Sequence, residues 1–312
     1  MMSRMAFRFL MALGYAFVVG HTTTNAAENL PGRVLFIGID GCRFDAVEKA
    51  RTPNLDRLIA AGCYSDDTQI LGQRYRRSDT VSGPGWSSLL TGVWADKHGV
   101  DSNRFENPQF ESYPHFFRRV KTDYPRAVTV SIAAWPPIAR QIVTAADLNS
   151  QPTEIDRYIP GDQETATIAT DVLRRGEPSV IFAYFGQVDE HGHAHGFAPN
   201  VPQYITAIER VDGLVGKMID ALEARKYYDS ENWLVIVSSD HGGIGKGHGN
   251  GHQSTEVLRS FLIVSGAAAE RGKLAGPTHI VDAPVTALVH MGVNIEARWN
   301  LDGRPIGLKP KR

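Results

Sequence analysis

Three segments are apolar at nearly every position over the length of one strand: Arg33 to Ile39 (RVLFIGI), Val180 to Phe185 (VIFAYF) and Trp233 to Val237 (WLVIV). A strand with one face in water alternates apolar and polar residues, so an unbroken apolar run must be covered on both faces. Helical signals lie between these runs. Thr52-Pro53 opens a helix, with threonine placed to cap it, proline at its first position, Leu55, Leu58 and Ile59 at helical spacing, and Gly62 as its stop. From Tyr204 to Arg225, Ile205, Ile208, Val211, Val215, Met218, Ile219 and Leu222 mark one face with a period near 3.6. Thr165 to Arg174 and Ala283 to Met291 read as further helices, and Ala127 to Ala133 and Phe261 to Val264 as further strands. The alternation predicts a three-layer α/β/α sandwich around a mainly parallel sheet.

The chain has 312 residues, 42% of them apolar, enough for one large core and too many for a disordered or fibrous class. Lys and Arg number 33 against 34 for Asp and Glu, so no basic surplus argues for a nucleic-acid partner. Residues 28–312 read as a single domain. Its least regular parts, about Asp101 to Arg126 and the Pro-rich loop from Asn149 to Asp162, are expected to form a small lid or rim around 101–162.

At the N-terminus, Arg4 and Arg8 precede an apolar run from Phe9 to Gly20 that is short for a bilayer span, and small residues follow at Thr24-Asn25-Ala26-Ala27. This is the pattern of a signal peptide over residues 1–27. It implies a periplasmic or secreted protein with no stable membrane anchor after cleavage, the alternative being an uncleaved N-terminal anchor. Cys42 and Cys63 remain in the mature chain. An oxidising compartment permits a disulfide between them if neighbouring parallel strands bring them together, and two buried thiols are the other reading.

In open α/β folds the ligand site lies at the carboxyl ends of the strands. Here Asp40 ends the first run, Asp189 follows the second, and Asp240-His241 ends the third. Each aspartate alone is explained by a turn or a helix cap; together they are not. Asp189 and His193 stand four residues apart, a spacing that aims a carboxylate and an imidazole at one ion. Six of the eleven histidines fall between His191 and His252 in what read as short, Gly-rich loops, as a site built from carboxylates and neutral imidazoles requires. Ser82, in VSGPGWSSLLTG, stands where a helix begins. The free amides of the first turn, at Gly83 and Gly85, are candidate donors to a bound phosphate.

Taken in order, Val34 to Gly41, Ser82 to Gly92 with His98-Gly99, Asp189 to His193, Asp240-His241 and a later His-Gly resemble the motifs of the alkaline phosphatase superfamily. The branch they most resemble is the type I phosphodiesterase and nucleotide pyrophosphatase family. The resemblance implies an alkaline phosphatase-like fold and two Zn²⁺ per chain. One would be held by Asp189, His193 and a late histidine, the other by Asp40, Asp240 and His241, with Ser82 as nucleophile and ligand. His248, followed by Gly249, suits the late position better than His252. The implied activity is hydrolysis of a small-molecule phosphate ester, a phosphodiester or nucleotide pyrophosphate, through a phosphoserine intermediate. The alternatives are a phosphomonoesterase, a sulfatase-like ester hydrolase and a phosphoethanolamine-type transferase. Trp86 stands where sulfatases of the superfamily carry an arginine, which disfavours a formylglycine enzyme. Arg74, Arg76 and Arg77 could reach a phosphate or merely face solvent; oligomeric state is left open.

Overall fold

The computed structural model describes residues 30–152 and 158–310, so the expected leader and part of the 149–162 loop lie outside the described residues. The strands are β1 (Arg33–Ile39), β2 (Gly62–Gln69), β3 (Thr129–Ala133), β4 (Leu148–Ser150), β5 (Val180–Phe185), β6 (Trp233–Ser238), β7 (Arg259–Gly266), β8 (Gly272–Lys273) and β9 (Thr278–His279). They form one sheet in the order β4-β3-β5-β1-β6-β7-β2-β8, with β9 pairing β2. From β4 to β6 every pairing is parallel. The exception is β7, antiparallel to both β6 and β2.

The apolar runs are the central strands β5, β1 and β6, and their alternate residues enter two separate cores. Leu35, Ile37, Ile181, Ala183, Val235 and Val237 pack with Leu55, Leu173, Val211, Val215 and Met218 from the helices Pro53–Ala61, Tyr158–Arg175 and Pro202–Glu223. On the opposite face, Val34, Phe36, Phe182, Leu234 and Ile236 pack with Trp86, Leu89, Phe116, Phe117 and Leu288. These come from the helices Ser82–Thr91, Phe116–Asp123 and Asp282–His290. The result is three layers, each face of the sheet being sealed by helices.

Two local expectations need correction, and the alternative left open for the cysteines is decided. Thr52 makes no side-chain cap. Asp212, on the neighbouring long helix, accepts the N–H groups of Asn54 and Leu55 at 3.1 and 2.8 Å and caps that terminus instead. β2 is not beside β1: β6 and β7 intervene. Cys42 and Cys63 are therefore buried free thiols in the cores on opposite faces of the sheet. Finally, part of the expected rim belongs to the body, since Phe116, Phe117 and Val120 are fully buried. Among the described residues no helix is long and apolar enough to cross a membrane.

Candidate active site

Because β5, β1 and β6 are adjacent and parallel, whatever follows each of them emerges at the same edge of the sheet. Asp40 follows β1, Asp240 and His241 follow β6 after Ser239, and the helix Gln187–His195 starts directly after β5 with Asp189 in its first turn. Ser82 begins a helix of the opposite layer and is buried. At Gly41 the chain turns with φ 61°, and a Cβ there would lie 2.5 Å from Asp189 Oδ1, so glycine is required both by the backbone and by the crowding.

Two groups of ligating atoms result: Asp189, His193 and His248, and Asp40, Asp240 and His241, each set lying within 4.8 Å of one another. In the first, His193 Nε2 is 3.3 Å from Asp189 Oδ2 and 3.0 Å from His248 Nε2. In the second, His241 Nε2 is 3.3 Å from Asp240 Oδ2 and 3.5 Å from Asp40 Oδ1. Ser82 Oγ joins the second group, 3.2 Å from His241 Nε2 and 3.5 Å from Asp40 Oδ1.

The outer atoms of these side chains are already engaged. Trp86 Nε1 and Tyr184 Oη donate to Asp40 Oδ2 at 2.9 and 2.7 Å, and the Gly41 amide donates to Asp240 Oδ1 at 3.3 Å. His193, His241 and His248 each direct Nδ1 to a backbone carbonyl, of Lys246, Gly242 and Thr80 respectively, which leaves every Nε2 facing inward. Such outer partners fix tautomer and orientation in metal sites.

The electrostatics ask for cations. Burial, reinforced by the neighbouring carboxylates, pushes Asp40 up and Asp240 well above the usual carboxylate range. Burial also raises Asp189, but the His193 hydrogen bond and the nearby imidazoles outweigh it and bring it below its ordinary value. The Asp189 hydrogen bond in turn lifts His193 to about 9, while burial drops His248 to about 4. Asp189 Oδ1 and Asp240 Oδ2 are buried without a hydrogen-bond partner. Orphaned carboxylate oxygens beside converging imidazole nitrogens are a donor set that fits divalent metal ions.

The remaining sequence candidates lie elsewhere. Gly83 N–H donates to Asn103 Oδ1 at 2.6 Å, and Gly85 N–H donates to the Val81 carbonyl while its Cα packs on Asp240. Both amides that were expected to meet a phosphate thus have protein acceptors. His252 Nε2 donates to the Ser78 carbonyl at 2.9 Å and does not join the histidine cluster. Arg74 is engaged by Asp96 and Asp302, whereas Arg77 lines a polar cleft of about 260 Å³ with Asp101, Arg104 and His252.

Several neighbours of the site were not legible beforehand. Asn103 holds the first turn after Ser82 from a loop that carries no periodic signal. Asp162 accepts the N–H groups of Gly186 and Gln187 at 2.9 and 3.1 Å and caps the helix that bears Asp189. Phe197 sets its ring against those of His193 and His248, with centroids 5.2 and 5.9 Å away. Arg43 ties that loop to the next by donating to the carbonyls of Phe197 and Gly243 at 2.8 and 3.0 Å.

The sequence model of the family described as type I phosphodiesterase / nucleotide pyrophosphatase matches residues 34–246. An uncharacterized pyrophosphatase/phosphodiesterase of Schizosaccharomyces pombe is 24% identical over 240 residues, covering 72% of this chain and 47% of its own length. The bis(5'-adenosyl)-triphosphatase ENPP4 of Bos taurus is 23% identical over 254 residues, covering 75% and 52%. The chain thus spans about half the length of the curated relatives it matches. Among solved structures, murine ectonucleotide pyrophosphatase / phosphodiesterase 5 aligns with a TM-score of 0.66 at 14% identity, over 84% of this chain and 95% of that one. A 2-O GAG sulfatase aligns equally well, with a TM-score of 0.66 at 14% identity, over 88% and 73%. These two likenesses establish the shared alkaline phosphatase-like fold.

Proposed function

Because the chain belongs to the type I phosphodiesterase / nucleotide pyrophosphatase family of the alkaline phosphatase superfamily, we propose that it hydrolyses phosphate esters, phosphodiester or nucleotide pyrophosphate bonds, with Ser82 as nucleophile. The observation that carries this is the position of Ser82 Oγ, 3.2 Å from His241 Nε2 and 3.5 Å from Asp40 Oδ1, at the first residue of a helix. A helix N-terminus favours the negative charge of a phosphoryl group.

Two Zn²⁺, one in each group of ligands, would supply the positive charge that makes the Ser82 hydroxyl nucleophilic near neutral pH and stabilises charge on the phosphoryl oxygens. Asp189, His193 and His248 would hold one, and Asp40, Asp240 and His241 the other. Ser82 Oγ loses its proton to solvent as it forms a bond to phosphorus, the ester bond breaks, and the alcohol or phosphate leaves with a proton from solvent. Water then attacks the phosphoserine, releases the phosphate product and restores the hydroxyl. Asn103, whose Oδ1 is taken by the Gly83 amide, keeps Nδ2 as a donor for a phosphoryl oxygen. Trp86 and Tyr184 fix Asp40 through Oδ2, so Oδ1 is the oxygen on the Ser82 side.

A sulfatase reading finds less support. Trp86, at the position where those enzymes carry an arginine, is fully buried against Phe182 and Tyr184 and cannot reach a sulfate. The N-terminal pattern of Arg4, Arg8 and an apolar run supports export to the periplasm or beyond. A panel of aryl phosphate diesters, monoesters, sulfates and nucleotide pyrophosphates, assayed beside zinc analysis, tests the proposal. Diester or pyrophosphate turnover with about two zinc ions per chain is the expected result, and turnover of the sulfate alone would overturn it.

A further inference from the structure

Five hydrogen bonds lace the residues before Ser82 to the turn that carries His248. His248 Nδ1 donates to the Thr80 carbonyl at 2.9 Å, Thr80 Oγ1 donates to the His248 carbonyl, and the Gly251 amide donates to Thr80 Oγ1 at 2.8 Å. On either side, the Asn250 amide donates to Asp79 Oδ1 at 2.6 Å and His252 Nε2 donates to the Ser78 carbonyl at 2.9 Å. A hydroxyl offers one proton and two acceptor positions, so Thr80 Oγ1 can satisfy an N–H and a C=O of the same turn at once. Thr80 is 1% exposed, so water cannot replace it readily. Only Val81 separates it from Ser82.

We propose that Thr80 is a positioning residue that sets His248, and with it the Asp189, His193 and His248 group, against the nucleophile. The inference rests on the proposed role of these three side chains as metal ligands. Thr80 touches no reacting atom. It holds the path of the 248–251 turn, and its carbonyl fixes His248 with Nδ1 outward and Nε2 facing His193, 3.0 Å away. Valine at this position would keep the shape but leave the His248 carbonyl and the Gly251 amide without their partner, and the turn would move to find another. Serine would keep the hydroxyl.

The test is a zinc titration of the zinc-stripped full chain against a chromophoric chelator, for the wild type, Thr80→Val, Thr80→Ser and Asp79→Ala. Thr80→Val is expected to weaken one of two binding events by about 10- to 100-fold and spare the other, as loss of a group supporting a ligand does. Thr80→Ser should match the wild type. Asp79→Ala, which removes the half-buried acceptor shared by the Thr80 and Asn250 amides, should weaken the same event by a smaller factor. Amide exchange at Gly251 in the zinc-free protein should be faster in Thr80→Val. Equal affinities in wild type and Thr80→Val, or equal losses in Thr80→Val and Thr80→Ser, would overturn the inference. Should Thr80→Val fail to fold, Asp79→Ala decides by the same criterion. A wild type that takes up no zinc would refute the metal reading, and faster Gly251 exchange in Thr80→Val would then still uphold Thr80 as the holder of the turn.

Discussion

Trp86 Nε1 donates to Asp40 Oδ2 at 2.9 Å from one helical turn beyond Ser82, so a single helix presents the proposed nucleophile and orients a carboxylate of the candidate ligand group beside it. The indole ring fills the space above Gly38, where a Cβ would meet it at 2.4 Å. Position 86 therefore serves both the core and the site.

Trp86→Phe should lower turnover by about 10- to 100-fold through loss of this support to Asp40. The smaller ring should also reduce stability by about 1–3 kcal/mol through the cavity it leaves. Comparing kcat with the urea midpoint separates the two effects. Full activity in a destabilised variant would show that Asp40 does not depend on the indole.

The late histidines give a second prediction. His248→Ala should sharply weaken zinc binding at one site, because Asp189 and His193 alone would remain there. His252→Ala removes only the bond to the Ser78 carbonyl and should stay within about 10- to 100-fold of wild type. Zinc titration of both variants checks the ranking, and the reverse order would reassign the ligand.

A third prediction concerns acid stability. Burial pushes His98 and His115 down to about 3 from 6.5 in an unfolded chain. Both are neutral in the fold at neutral pH. Below pH 6.5 the unfolded chain takes up protons that the fold refuses, so their contribution is whole above 6.5 and is lost as pH falls towards 3. The loss approaches about 1.4 kcal/mol per pH unit for each histidine. Urea unfolding of His98→Gln between about pH 4 and 6 should show a slope shallower by roughly one proton than wild type. An unchanged slope would mean that His98 is protonated in the fold.

The layers and the convergence of the candidate carboxylates were legible because one physical demand produced both signals. A strand covered on both faces must be apolar throughout, and the parallel neighbours β5, β1 and β6 then deliver Asp40, Asp189 and Asp240 to one edge. What escaped was polar or non-local. β2 contains Ser65-Asp66-Asp67 and a register shift after Ser65, so its pairing depends on β7 rather than on its own pattern. The cap of the Pro53–Ala61 helix comes from Asp212, on a helix that begins at Pro202. Glycine also misled the reading of the Asp189 segment as a loop. Gly192 lies within a helix, where a Cβ would meet the Phe197 ring at 2.2 Å, so packing rather than a turn explains it. Asn103 had no signal at all, since one asparagine in a loop is unremarkable until the fold brings it to Gly83.

Turnover of an aryl phosphodiester by Ser82→Ala, with zinc content measured on the same preparation, tests whether Ser82 forms the covalent intermediate. The variant should keep about two zinc ions per chain and the wild-type unfolding midpoint while kcat falls by about 10³-fold or more, as removal of a nucleophile does. Wild-type-like turnover by this variant, with its zinc intact, would contradict the mechanism.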